Sequence, residues 1–189
     1  MSKESTDDEA ANPLGLPAAL TMAERWKPNV TVAAVIERDG RFLLVEEHTG
    51  DGLKLNTPAG HLDPGESPAE GCARETLEET AHHFEPTSLV GVYMARSTRT
   101  TNGDDVTYLR FAFAGTLGAF EADRTLDDGI VRTLWMTADE LRNSVERHRS
   151  PLLMQCIDDY LAGRRFPLDL VHVDPSVVSA TSVASLIKP

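Results

Sequence analysis

The 189-residue chain predicts a mixed α/β (α+β) fold, with a mixed β-sheet sandwiched between helices. Three observations carry this. Strand-like segments stand on both sides of one strongly capped central helix. Asp-Gly and Asn-Gly pairs punctuate β-branched runs in the manner of hairpin turns. Two further helix starts follow the last strand and close the chain in a helical layer.

Taken in order, residues 1–27 are rich in Ser, Thr, Asp, Glu and Asn with little periodicity, which predicts a flexible polar tail. Pro13 and Pro17 argue against a long helix over the apolar stretch 14–20. Residues 30–36 are β-branched and apolar, Asp39-Gly40 is a turn, and residues 42–45 return, so the three predict a hairpin. Glu46, Glu47 and His48 lead into a polar loop over 48–54 that would border a substrate cleft. Pro58 limits residues 55–59 to a short or edge strand. After the central helix, residues 89–98 alternate as a strand, which predicts Val90, Val92 and Met94 on one face. Asn102-Gly103 is the next turn. Residues 106–114 come back with Leu109, Phe111 and Phe113 on one side and Tyr108 and Arg110 on the other. Residues 115–129 read as an acidic loop or short strand holding Glu121, Asp123, Asp127 and Asp128, and 131–136 as the last strand. Thr137 with Glu140 makes a capping box, and Ser150-Pro151 opens a helix to about Leu161, ended by Gly163. One domain over 28–170 follows, with a C-terminal tail over 171–189 that shows no pattern around Val177, Val178 or Ile187.

The central helix carries the chemistry. Ser67-Pro68-Ala69-Glu70 combines an N-cap serine, a proline at the first helical position and the glutamate of a capping box. Beyond it, Glu75, Glu78 and Glu79 stand at i, i+3 and i+4 and share one face. Gly71 lies one turn back on that face, while Ala69, Ala73, Thr76, Leu77 and Thr80 fall on the packing side. Like charges so close repel by a few tenths of a kcal/mol per pair even when exposed. A divalent cation relieves that repulsion, and an all-oxygen set favours Mg²⁺, with Mn²⁺ as the alternative, over zinc. The competing reading is a solvated acidic helix face.

Composition narrows the partners. A net charge of −12 argues against a nucleic-acid polymer, whose phosphates need basic surface. A small phosphorylated substrate stays compatible with it, because a cation and a few arginines reverse the field inside one cleft. No run of 18 apolar residues exists, so no membrane span is expected. The polar N-terminus lacks the basic and apolar regions of a signal peptide. Cys72 and Cys156 are far apart in sequence and suit unpaired thiols in a cytoplasmic protein. Both a monomer and a homodimer are consistent with these features.

Gly60, Glu66, Arg74, Glu75, Glu78 and Glu79 match G-x5-E-x7-R-E-x2-E-E, the spacing of the Nudix box. Six such matches arise by chance on the order of once in a hundred thousand chains of this length. The chain therefore resembles the Nudix hydrolase family, which implies the Nudix fold. It departs at Ala81, where the family prefers glycine, and at His82, where it prefers an apolar residue. Either Ala81 accepts a left-handed helix terminus, or the helix runs on towards His83 until Pro86 stops it. Lys27 to Ala33, Val45-Glu46-Glu47, Pro58 to Leu62, Leu109-Arg110-Phe111, Arg149 to Leu152 and Arg165-Phe166-Pro167-Leu168 extend the likeness. They are similar to the NudJ-type phosphatases. That branch implies Mg²⁺-dependent hydrolysis of nucleoside di- and triphosphates, thiamine pyrophosphate and a related pyrimidine diphosphate, with release of orthophosphate. Leu55 stands where relatives often have tryptophan, so weaker ring stacking at the cleft is expected.

The resemblance implies that the Gly60 carbonyl and Glu75, Glu78 and Glu79 hold the metal. Arg74 joins the three glutamates as a catalytic residue, because it precedes Glu78 by four and can orient it. Glu66 is a lesser helper. The general base is left among Glu75 and the loop acids Glu121, Asp127 and Asp128. Arg110, Arg96 and Lys54 are candidate contacts for substrate phosphates, with Arg99 behind them, and Glu47 borders the same cleft. The alternatives are a nucleotide-sugar, dinucleotide or oxidised-nucleotide pyrophosphatase, and a ligand-sensing module without catalysis.

Overall fold

The computed structural model describes residues 26–98 and 105–178. The predicted tail over 1–27, the Asn102-Gly103 turn, Arg99 and Ile187 therefore lie wholly or largely outside the described residues. The strands are β1 (Asn29–Val35), β2 (Glu37–Arg38), β3 (Arg41–Thr49), β4 (Gly52–Asn56), β5 (Ala59–His61), β6 (His82–Thr98), β7 (Asp105–Phe120) and β8 (Ile130–Thr137). The helices are α1 (Pro68–Thr80), α2 (Ala138–Arg142), α3 (Leu152–Leu161) and α4 (Pro175–Val178). Mixed sheets flanked by helices result, as predicted, but the strands divide between two sheets.

One sheet runs β5-β1-β7-β6, with β1 parallel to β7 and antiparallel to β5. In the other, β3 lies between β4 and β8, and β2 pairs only with its first two residues. The expected hairpin over 30–45 thus exists only at its tip, where Glu37 and Arg38 face Phe42 and Arg41. Beyond that tip β1 and β3 part into different sheets, since each has two buried faces to cover. Val32 and Ala34 of β1 enter a core with Cys72, Phe84, Leu89 and Phe113 beneath α1. Ala33 and Val35, one residue out of phase, enter a second core with Phe42, Leu44, Leu55, Ala112, Leu153 and Ile157 beneath α3. A strand covered on both faces reads as an unbroken apolar run.

The β6–β7 pair is longer than predicted. It takes in residues 82–88 and 115–120 on the two sides, despite Pro86. The register shifts between Leu89 and Gly91, and that irregularity reverses the expected alternation. Val90 is fully buried, whereas Val92 and Met94 face solvent. Val177 and Val178 are exposed on α4.

Both capping boxes form as read. The Ser67 hydroxyl accepts from the Glu70 amide while the Glu70 carboxylate accepts from the Ser67 amide, and Thr137 and Glu140 repeat this at α2. The helix α1 ends where glycine was expected, and Ala81 takes the left-handed conformation at φ 56° with its amide on the Leu77 carbonyl. Its methyl group is buried. That burial offsets a conformational cost of about 1 kcal/mol. No helix of the described residues is long and apolar enough to cross a membrane.

Gly40 offers a clean measure of turn geometry. Its φ is +75°, nothing lies within 4 Å of a Cβ built there, and its amide donates to the Glu37 carboxylate. Gly40→Ala is therefore expected to cost about 1 kcal/mol from backbone conformation alone. Urea denaturation of the two proteins checks this, with an unchanged slope and an earlier midpoint.

Candidate active site

Arg74 is the centre of the helical motif. Its Nε and Nη2 donate to the two Glu66 carboxylate oxygens at 2.9 and 2.7 Å. Nη1 donates to Glu75 at 2.9 Å and Glu78 at 2.8 Å, and Nη2 also reaches the His61 carbonyl at 2.9 Å. The expected Arg74–Glu78 bridge is one part of a wider clasp that joins loop to helix. Charge-assisted bonds to Glu66 hold the guanidinium well above its usual pKa despite some burial. Two glycines make the clasp sterically feasible. A Cβ on Gly71 would stand 2.6 Å from a Glu66 oxygen, and one on Gly60 would stand 2.1 Å from the Glu75 carboxylate. Glu66 is thus the second anchor of Arg74, a stronger part than its sequence suggested.

Glu75, Glu78 and Asp127 come together, each offering a carboxylate oxygen within 4.8 Å of the others. Asp127 arrives from the loop between β7 and β8, with its amide donating to the Glu78 carbonyl at 3.1 Å. This cluster is all oxygen with no histidine or cysteine, which fits a hard divalent cation of the Mg²⁺ class. Glu79 stands beside it, buried, with Oε2 accepting from the Ala59 amide at 2.8 Å. Burial pushes its carboxyl up to about 8, against the Ala59 hydrogen bond, and the Glu75, Glu47 and Asp127 charges add to the rise. Burial likewise raises Glu75, though Arg74 opposes it. A cation among these groups lowers the cost of ionising them together.

Ala59 and Gly60, whose backbone Glu79 and Glu75 touch, also line a cleft of about 640 Å³ between the two sheets. The cleft brings together the predicted contacts Glu47, Lys54, Arg96 and Arg110, and it adds Arg149, Thr31, Asn56 and Tyr108. Three of the four predicted contacts are already engaged. Lys54 donates to the Glu146 carbonyl at 2.8 Å, Arg96 pairs with Asp105 at the exposed rim, and Glu47 meets Arg149 at 3.4 Å. Burial lifts the Glu47 carboxyl, partly countered by Arg149 and Arg110. Arg110 is different: it is buried, and its Nε and Nη1 have no hydrogen-bond partner.

Other candidates resolve against chemistry. Leu55 is fully buried in the core beneath α3, so the residue at that position does not face the cleft. The available rings there are His61 and Tyr108, 6.3 Å apart and tilted. Glu121 turns to His83 and Arg124. Ser67 serves as the helix cap, and Cys72 is a buried thiol pushed upward by desolvation. His82 packs on Phe120 at 4.8 Å, while His83 turns to Glu121. A smaller cavity of about 300 Å³ beside Ser67 and Leu168 is chiefly apolar and holds no such cluster.

Arg74→Lys retains the charge but cannot span four acceptors. It is expected to lower stability by about 1–3 kcal/mol, the scale of lost charged hydrogen bonds. Thermal unfolding compared with wild type checks this.

Comparison with known proteins agrees with this geometry. The NUDIX domain family model matches residues 26–156, well over half of the chain. Phosphatase NudJ of Escherichia coli O1:K1 is 35% identical over 146 residues, covering 77% of this chain and 92% of its own length. The same values hold for Phosphatase NudJ of Shigella flexneri. Among solved structures, a NUDIX hydrolase from Nitrosomonas europaea is 55% identical, with a TM-score of 0.72 over 78% of this chain and 98% of its own. A MutT protein from Methanosarcina mazei, 24% identical with a TM-score of 0.58 over 73% of this chain and 97% of its own, shares the fold. Motif, clasp and comparisons converge, and the chain belongs to the Nudix hydrolase family.

Proposed function

We propose that this enzyme hydrolyses the terminal phosphoanhydride bond of a small organic diphosphate or a nucleoside di- or triphosphate, releasing orthophosphate. The observation that carries the proposal is the Glu75–Glu78–Asp127 cluster, set against Gly60 at one end of the cleft. The 35% identity to Phosphatase NudJ supports the product. Mg²⁺ is the cofactor this reading assigns, and when bound it supplies charge neutralisation for the phosphoryl oxygens and a more acidic water. Glu75 and Glu78 are its side-chain ligands, with the Gly60 carbonyl and Glu79 completing the predicted set and Asp127 added to it.

The chain's own residues supply the rest. Arg74 keeps Glu75 and Glu78 in place, so their carboxylates need not reorganise as charge develops. Glu79 is steadied by the Ala59 amide beside the same cleft. Of the predicted bases, Glu121 is committed elsewhere, and Glu75 is held by Arg74. Asp127 pairs with no arginine among the described residues, so we assign the proton from the attacking water to the carboxylate oxygen that it does not offer to the cluster. Arg110 meets a phosphate oxygen from the cleft floor, while Lys54, Arg96 and Glu47 shape the cleft edge.

Incubation with Mg²⁺ and a panel of diphosphates, with orthophosphate and pyrophosphate measured separately, tests this. Orthophosphate is expected, abolished by EDTA and restored by Mg²⁺. Glu79→Gln is expected to lose at least about a hundredfold in kcat, the scale of a removed electrostatic contact. Pyrophosphate with a monophosphate would instead indicate a nucleotide pyrophosphatase. Binding without turnover would indicate a sensing module.

A further inference from the structure

Six side chains among the described residues hold a buried nitrogen or oxygen with no hydrogen-bond partner, and three of them line the same cleft. These are Thr31 at 6% exposure, Asn56 at 5% and Arg110 at 8%. Buried polar groups left unpaired cost about 1–3 kcal/mol each, more when charged. A fold keeps three in one place most readily where a ligand completes them. Strand pairing brings two of them side by side. Thr31 on β1 faces Arg110 on β7, and His61 on β5 flanks Thr31 from the other side. The three form a transverse row on the cleft floor.

Their chemistry differs. Arg110 offers free N–H groups at Nε and Nη1 and only donates. Its neighbour on the core side is Cys156, and its charge is felt by Glu47 and Glu79 without a direct ion pair. Thr31 Oγ1 can donate alongside it. Asn56 is the opposite case: its amide group is engaged with Glu47, which leaves Oδ1 as a free acceptor. A phosphate oxygen suits Arg110 and Thr31 but cannot satisfy Asn56. An N–H or O–H group is required there.

We infer that Thr31, Asn56 and Arg110 form a two-part substrate receptor. Arg110 and Thr31 donate to a phosphoryl oxygen, and the Asn56 carbonyl accepts from a hydroxyl or amino group on the organic part. The receptor rests on the proposed hydrolytic function and narrows its substrate class. It selects diphosphates whose organic group bears hydrogen-bond donors over hydrocarbon diphosphates of the isoprenoid kind.

Two measurements on the 189-residue chain test this. The first is kcat/KM with Mg²⁺ for ADP and CDP against geranyl diphosphate, for wild type, Thr31→Val, Arg110→Met and Asn56→Leu. Wild type is expected to prefer the nucleotides at least about tenfold, because geranyl diphosphate leaves the buried Asn56 carbonyl unpaired, at a cost of about 1–3 kcal/mol. Thr31→Val is expected to lower all three about tenfold, as for one hydrogen bond to a charged group, and Arg110→Met by more. Asn56→Leu is expected to shrink the preference itself. The second measurement is the melting temperature. Valine fills the same volume as Thr31 without an orphaned hydroxyl and favours a strand, so Thr31→Val is expected to raise it. A structural threonine would instead destabilise when replaced. Equal use of all three substrates, or a lower melting temperature with unchanged kcat/KM in Thr31→Val, would overturn the receptor. No hydrolysis of any diphosphate by wild type would overturn the hydrolytic function itself.

Discussion

Arg74 holds acids that would otherwise push apart. Four carboxylates, from Glu66, Asp63, Glu75 and Glu78, lie within 4 Å of its guanidinium, and three of them belong to residues the motif requires. Without a cation at its centre, the acidic face of α1 would splay its side chains into water, since each pair repels. With Arg74 in place, the oxygens of Glu75, Glu78 and Asp127 stay within 4.8 Å of one another as a single acidic cluster. The arginine is also rigid in a way lysine is not, because its planar fork satisfies several acceptors without swinging. The same clasp reaches Glu66 and the His61 carbonyl, so it fixes the loop preceding α1 as well as the helix.

Much of this was legible in the chain. Ser67 and Glu70 announce the helix start because capping is local chemistry, decided within four residues. The shared face of Glu75, Glu78 and Glu79 follows from helical periodicity alone. Other features depend on partners distant in sequence and could not be read locally. The β1–β3 hairpin failed beyond its tip because β1 finds β7 as its parallel neighbour, some eighty residues on. Val92 and Met94 were placed wrongly because a register shift at Gly91 cannot be seen in an alternating pattern. Leu55 was expected at the cleft because relatives often have tryptophan there, and nothing local in the chain tells that this side chain turns to the core.

The site shows the same division. The helical carboxylates and Arg74 announce themselves by spacing. Asp127 was one of three equivalent loop acids, and only the folded loop separates it from Glu121 and Asp128. Thr31 and Asn56 carried no signal at all, since an isolated Thr or Asn in a strand is ordinary. What marks them is a missing partner, which exists only once every neighbour is in place.

The two halves of the site are joined by strand parity. Along β1, Thr31 lies on the same side as Ala33 and Val35, which bury beneath α3, while Val32 and Ala34 bury beneath α1. Arg110 shares its side of β7 with Ala112 and Ala114. Because the side-chain period of a strand is two, a slip of one residue would turn Thr31 and Arg110 toward α1 and drive apolar side chains into the cleft. The cores on both faces oppose that slip, since β1 has no face to spare. The packing that buries Val32 through Val35 at 0–1% exposure therefore also aims Thr31 and Arg110 into the cleft. At the edge of the same sheet, β5 presents its backbone to Glu75 and Glu79. The backbone that meets Glu75 and Glu79 and the cleft floor are thus set by one register.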